Sequence, residues 1–145
     1  MVTIILSGHG QAAPGLLSAF EMIFGHSDQI HVVTFSKGEG VDDLKAHYQT
    51  VLGTLAPGSE VLFLVDLFGG SPYNAATQLV YGHTERDIVA GVNLPMLLEA
   101  GSMLAGSLSA IVSHLKEIAP GTVRVFSDEI KSVNTTASDE GGDTL

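Results

Sequence analysis

Four short apolar runs recur along the chain, at Val2–Leu6, Ile30–Phe35, Val61–Val65 and Ile88–Val92, and segments of helical spacing separate them. This alternation constrains the fold more than any other feature. Strands that alternate with helices pack as an α/β layer structure: an open, mostly parallel sheet with helices on both faces. Inner strands of such a sheet are covered on both sides and read as unbroken apolar runs, as VLFLV at 61–65 does.

The intervening segments carry their own signals. Ala13–Phe24 places Leu16, Leu17, Phe20, Ile23 and Phe24 on one stripe and stops at Gly25. Pro14 falls in the first turn, where a missing N–H costs nothing. Val41–Leu55 repeats the pattern with Leu44, Tyr48, Val51, Leu52 and Leu55. Ser71-Pro72 reads as the N-cap and first residue of a third helix, and Leu94–Leu104 and Leu108–Ala119 supply two more. After Pro120-Gly121, TVRVF reads as a short alternating strand. The closing NTTASDEGGDTL has no periodicity and is expected to be disordered. The division expected is one domain over residues 1–126 and an acidic tail over 127–145.

Composition sets the chemical limits. A chain of 145 residues with 45% hydrophobic content suits a single folded domain. It has no cysteine, so neither disulfides nor thiolate metal sites contribute. Met1 leads straight into a strand with no leader pattern, and no apolar run of about 20 residues could span a bilayer, so a cytoplasmic protein is expected. Six Lys and Arg stand against sixteen Asp and Glu, a balance that excludes a general nucleic-acid binder. The same balance disfavours long-range capture of free anions, so a phosphate handled here is expected to arrive on a partner protein.

In an open parallel sheet, ligands bind beyond the carboxyl ends of the strands. Three of those ends are unusual. The first is Ser7-Gly8-His9-Gly10, an imidazole set between glycines where a tight turn needs only the glycines. The third is VDLFGGSPYN, with Asp66 at its tip and Gly69-Gly70-Ser71 leading into a helix. The fourth is GVNLP, offering Asn93 and Pro95. If the first and third strands are neighbours, His9 and Asp66 meet beside a helix N-terminus. A neutral imidazole nitrogen is a competent nucleophile, and a carboxylate on the other N–H fixes the tautomer and favours the positive charge that develops. Glycine amides and a hydroxyl at a helix N-terminus form a cradle for a phosphoryl group. The combination suits reversible phosphorylation of His9.

Each part also has a plainer reading. His9 alone could be a surface loop residue, Asp66 a turn carboxylate, and Gly-Gly-Ser-Pro ordinary loop-and-cap chemistry without the lysine of a P-loop. Phe68 could be core, although its flanking residues favour partial exposure. His26, His31, His47, His83 and His114 are scattered without metal-ligand spacing, and no metal or cofactor is implied.

Three blocks, IILSGHGQAAPGLLSAFEMIFG, FLVDLFGGSPYNAA and VAGVNLPMLLE, together resemble the IIA domain of the mannose/sorbose family of the bacterial sugar phosphotransferase system, in order over Met1–Glu99. The resemblance implies that His9 takes a phosphoryl group on Nε2 from the phosphocarrier HPr and passes it to a IIB component. It implies Asp66 as the orienting carboxylate, and Ser71 with Gly10, Gly69 and Gly70 at the phosphate. Phe68, Asn93 and Pro95 become candidate partner contacts. It further implies a homodimer with an exchanged C-terminal strand, for which TVRVF is the candidate. Two positions depart from the pattern: Leu67 stands where some members carry threonine, and Phe68 where some carry tryptophan. Rival readings are a regulator phosphorylated only as a signal, and a tetrapyrrole metal chelatase, which also sets a histidine in an HG turn. A histidine phosphatase fits less well, because its usual arginine before His-Gly is Gly8 here.

Overall fold

The computed structural model describes residues 1–131 and 133. Four strands, β1 (Thr3–His9), β2 (Ile30–Phe35), β3 (Val61–Val65) and β4 (Arg86–Ala90), form one sheet in the order β2-β1-β3-β4. Every neighbouring pair is parallel. The helices are α1 (Ala12–Phe24), α2 (Val41–Leu52), α3 (Ser71–Val80), α4 (Leu94–Gly101) and α5 (Leu108–Ile118), followed by a 3₁₀ turn at Ala119–Thr122.

Because side chains alternate along a strand, each strand feeds two cores. Ile4, Leu6, Leu62 and Leu64 pack against Phe20 of α1, Met96 and Leu97 of α4, and Ile111 and Leu115 of α5. Ile5, Val33, Phe63 and Val65 pack on the other side against Leu44 and Tyr48 of α2 and Ala75, Ala76 and Leu79 of α3. All five residues of β3 are buried, as the unbroken run VLFLV requires. Within one layer the helices approach closely: a Cβ at Gly101 of α4 would stand 2.4 Å from Cε2 of Phe20 in α1.

The strand order places the site. The chain runs outward from β1 to the edge at β2, then returns to lay β3 on the other side of β1. Between β1 and β3 the following helices go to opposite faces, which leaves a crevice at their carboxyl ends.

Several expected boundaries move. β1 continues to His9, whose partner in the register is Phe35, so the histidine closes the strand rather than following it. β4 begins at Arg86, whose guanidinium donates to the carbonyl of Leu79 at 2.6 Å, and ends at Ala90. The α3 cap is Gly70, not Ser71; Ser71 is the first helical residue and makes no capping bond. TVRVF is not a strand within this chain. Thr122 ends the 3₁₀ turn, Val123 is extended (φ −94°, ψ 111°) and Phe126–Lys131 is helical. The physical reason is that alternation alone does not make a strand; a ladder partner must lie alongside. The NTTASDEGGDTL stretch lies outside the described residues.

Candidate functional site

Ser7, buried near the end of β1, donates its hydroxyl to the carbonyl of Val33 at 2.8 Å and anchors the strand end. Gly8 follows because Asp66 crosses there: a Cβ at position 8 would lie 3.0 Å from Cγ of the carboxylate. His9 then meets Asp66. One carboxylate oxygen, Oδ2, accepts from the backbone N–H of His9 at 2.9 Å and is 2.9 Å from ring Nδ1. The other oxygen, Oδ1, is buried and has no hydrogen-bond partner among the described residues. A carboxylate can only accept, so in the neutral ring Nδ1 carries the proton and Nε2 keeps its lone pair. The Phe35 ring stands edge-on to the imidazole, with centroids 5.6 Å apart, and restricts its rotation.

The opposing wall is the turn into α3. Gly69 takes φ +79°, and Gly70 N–H donates to the carbonyl of Leu67 at 3.2 Å. Asn74 donates to the carbonyl of Gly69 at 3.0 Å, and buried Tyr48 donates to the carbonyl of Pro72 at 3.0 Å. Burial pushes the Tyr48 phenol well above its ordinary range, so it remains a donor. Gly70 lies against the imidazole: a Cβ there would be 3.0 Å from Cε1 and 3.6 Å from Nε2 of His9. The free ring nitrogen therefore lies beside the start of α3, whose first amides lack intrahelical acceptors. Phe68 at the tip of the turn is 75% exposed and rests on Tyr73 at 4.8 Å between centroids.

A family match over most of the chain now decides the family. The model described as "PTS system fructose IIA component" matches residues 3–117, a span that holds His9, Asp66 and Ser71. The chain belongs to this phosphotransferase-system IIA family. The fructose-specific EIIA component of Bacillus subtilis is 38% identical over the whole of both chains. The sorbose-specific EIIA component of Lacticaseibacillus casei is 37% identical, over 94% of this chain and 96% of its own. The mannose-specific EIIAB component of Escherichia coli is 40% identical over 68% of this chain and 30% of its own length. Among solved structures, the mannose/sorbose-specific IIA subunit of Enterococcus faecalis is similar with a TM-score of 0.79 and 27% identity, over 86% of this chain and 93% of that one.

Within this IIA component, the sequence-derived residues divide into two groups. His9, Asp66 and Gly70 meet at the β1/β3 crevice, Gly10, Gly69 and Ser71 adjoin them in the chain, and exposed Phe68 stands in the turn before Gly69. Asn93 and Pro95 belong elsewhere. The Asn93 carbonyl oxygen caps α4 at Met96 N–H (3.0 Å) and its amide donates to Thr122 Oγ1 (2.9 Å). Pro95 lines a groove of about 710 Å³ with Phe24, Leu98, Ile118 and Arg124, and that groove touches neither His9 nor Asp66. None of the other paired histidines is bonded to Asp66. His26 is held at both nitrogens, by Glu21 and Asp28, and His47 by Glu39. His83, bound to Glu85, sits before β4 at the opposite end of the sheet.

Sequence reasoning missed the loop after β2. Phe35, Ser36, Lys37, Gly38 and Glu39 line, with His9 and Gly10, a hollow of about 350 Å³. Glu39 braces it, accepting from Ser36 N–H at 2.8 Å and lying 2.6 Å from Nε2 of His47. These two bonds hold the Glu39 carboxyl below its ordinary range. The signal was present in the strand-end stretch FSKGEG, which has the same position in its βα unit as the His9 loop has in its own.

Proposed function

We propose that this IIA component accepts a phosphoryl group from phospho-HPr on Nε2 of His9 and passes it to a IIB component. The observation that carries the reading is the 2.9 Å contact between Nδ1 and Asp66 Oδ2, which commits one ring nitrogen and frees the other beside the α3 N-terminus. In the capture step, the Nε2 lone pair forms a bond to phosphorus while the donor's P–N bond breaks. Its electron pair returns to the donor ring nitrogen. No proton leaves Nε2, because none was there. The positive charge gained by the imidazole is offset by Asp66, whose oxygen keeps the Nδ1–H bond throughout. Delivery to IIB reverses the roles. Ser71, with the backbone at Gly10, Gly69 and Gly70, surrounds the phosphoryl oxygens, and exposed Phe68 gives the partner proteins an apolar contact.

Relatives of this chain carry fructose, sorbose and mannose in their names. A site that handles only phosphoryl groups has no reason to distinguish those sugars. Among the described residues no helix is long and apolar enough to cross a membrane, which fits a IIA component working in the cytoplasm. The chain would work as a homodimer. Val123 and Phe126, each 77% exposed, supply an apolar strip that a second copy can cover.

The test is incubation of the full chain with phosphoenolpyruvate, Enzyme I and HPr. One acid-labile phosphate per chain is expected, lost in His9→Ala and transferred onward when a IIB component is added. Label retained in His9→Ala would overturn the assignment.

A further inference from the structure

A phosphoryl group on His9 adds negative charge to a chain whose net charge is already −10, and it does so beside Asp66. The α3 side of the crevice supplies only neutral dipoles from glycines, Ser71 and a proline. The compensating cation must come from another wall.

Of the six Lys and Arg residues, Lys37 alone lines the hollow that His9 and Gly10 share with the Phe35–Glu39 loop. The loop is built to hold it there. Glu39 N–H donates to the carbonyl of Ser36 at 3.1 Å, and Gly38 takes φ +91°. This is the signature of a turn with positive φ at its third position, and it puts Lys37 at the corner. Gly10 N–H donates to the carbonyl of Phe35 at 3.0 Å, so the base of the turn is tied to the residue that follows His9. Glu39, the nearest carboxylate in sequence, is already engaged by Ser36 N–H and His47. Among the described residues Lys37 makes no ion pair. Its side chain is exposed and makes no ion pair, on a braced turn that lines one hollow with His9.

We propose that Lys37 is the cation of this site and that its ammonium neutralises the phosphoryl group carried by His9. This deepens the reading of His9 as the phosphoryl acceptor and rests on it. Capture from phospho-HPr places the new dianion on Nε2, where a flexible four-carbon stem brings a point charge to its outer oxygens. The same charge draws the donor's phosphoryl group inward in a chain that is otherwise repulsive to anions.

The experiment follows the ³¹P resonance of the phosphorylated full chain across pH, in the wild type, Lys37→Met and Lys37→Arg. The expected result is that the second ionisation of the phosphoryl group moves upward by about 0.5 pH unit in Lys37→Met and returns in Lys37→Arg. Capture from phospho-HPr is expected to slow about fivefold in Lys37→Met, with a shallower dependence on salt. An unmoved titration overturns the proposal whatever the rate, since a slower rate alone would place Lys37 against the donor protein and not the phosphoryl group. Absence of label in the wild type would instead overturn the reading of His9 itself.

Discussion

Asp66 and His9 are joined twice through one oxygen: Oδ2 takes the backbone N–H of His9 and faces its Nδ1, each at 2.9 Å. The backbone contact fixes where the residue begins, and the ring contact fixes which way the imidazole turns. A single carboxylate oxygen thus sets position, orientation and tautomer together.

Asp66→Asn tests this arrangement. The amide keeps the size but loses the charge, and it can present a donor to Nδ1 and favour the wrong tautomer. In the serine-protease template such a change costs about 10⁴. Here no proton has to be removed from the nucleophile, so a loss of about 10²-fold in capture rate is expected. Rapid-quench transfer from phospho-HPr measures the rate, and ¹⁵N ring shifts read the tautomer. Wild-type values for both would reduce Asp66 to a turn residue.

Gly70→Ala separates the site from the fold. The backbone at Gly70 (φ −75°, ψ 173°) is open to any residue, so the substitution is expected to cost only about 0.5–1 kcal/mol of stability. Its Cβ would press on Cε1 of His9 from 3.0 Å. A chain with near-native melting behaviour and at least roughly tenfold slower phosphorylation is the expected outcome. Unimpaired transfer would show that the imidazole has room to shift.

Gly101→Ala addresses the core. An added methyl would meet the Phe20 ring at 2.4 Å, far inside contact distance, and the ring is nearly fully buried. Overpacking of this kind costs about 1–3 kcal/mol. Denaturant unfolding should show the loss, and Phe20→Leu in the same chain should recover part of it.

The Glu39 brace has a defined pH signature. Its carboxyl is held below the ordinary range in the folded chain by Ser36 N–H and His47. A depressed folded value means the folded state binds its proton less readily than the unfolded chain. The stabilisation is therefore present above the ordinary glutamate range and is lost as pH falls through the folded value. Melting temperatures of the wild type and Glu39→Gln should differ at neutral pH and converge in acid. A constant gap down to low pH would assign the effect to packing.

Val123–Phe126 is expected to form the contact between two copies. Phe126→Asp places a charge in that strip and should convert a dimer to monomers on light scattering, with the IIA fold intact by circular dichroism. An unchanged dimer would move the interface elsewhere.

The sequence made β3 legible because burial on both sides leaves no polar residue to blur its ends, and Val61–Val65 is the strand found; the edge strand Ile30–Phe35 was legible from its β-branched run between breakers. β4 was shifted because Arg86 and Asp87 disguise its start, although Arg86 is held by a carbonyl across the chain. His9 stood out because it sits at a strand end between glycines, and Asp66 because it ends an apolar strand three residues before Gly69-Gly70. The role of the Phe35–Glu39 loop was hidden, since it depends on the parallel register that sets His9 opposite Phe35. The bonds of Asn93 were hidden for a similar reason. Its bonds to Met96 and Thr122 are partly a local cap and partly a contact 29 residues away.

The β2-β1-β3-β4 order has one consequence for how the chain comes alive. His9 and Asp66 are 57 residues apart and meet only when β3 has docked beside β1, after the whole excursion through α1, β2 and α2 is complete. On the proposed reading, a half-finished chain therefore has a histidine but no oriented nitrogen, and captures a phosphoryl group slowly. Radiolabel taken up early would then mark folded molecules ahead of unfolded ones, so that the proposed reaction itself reports on folding.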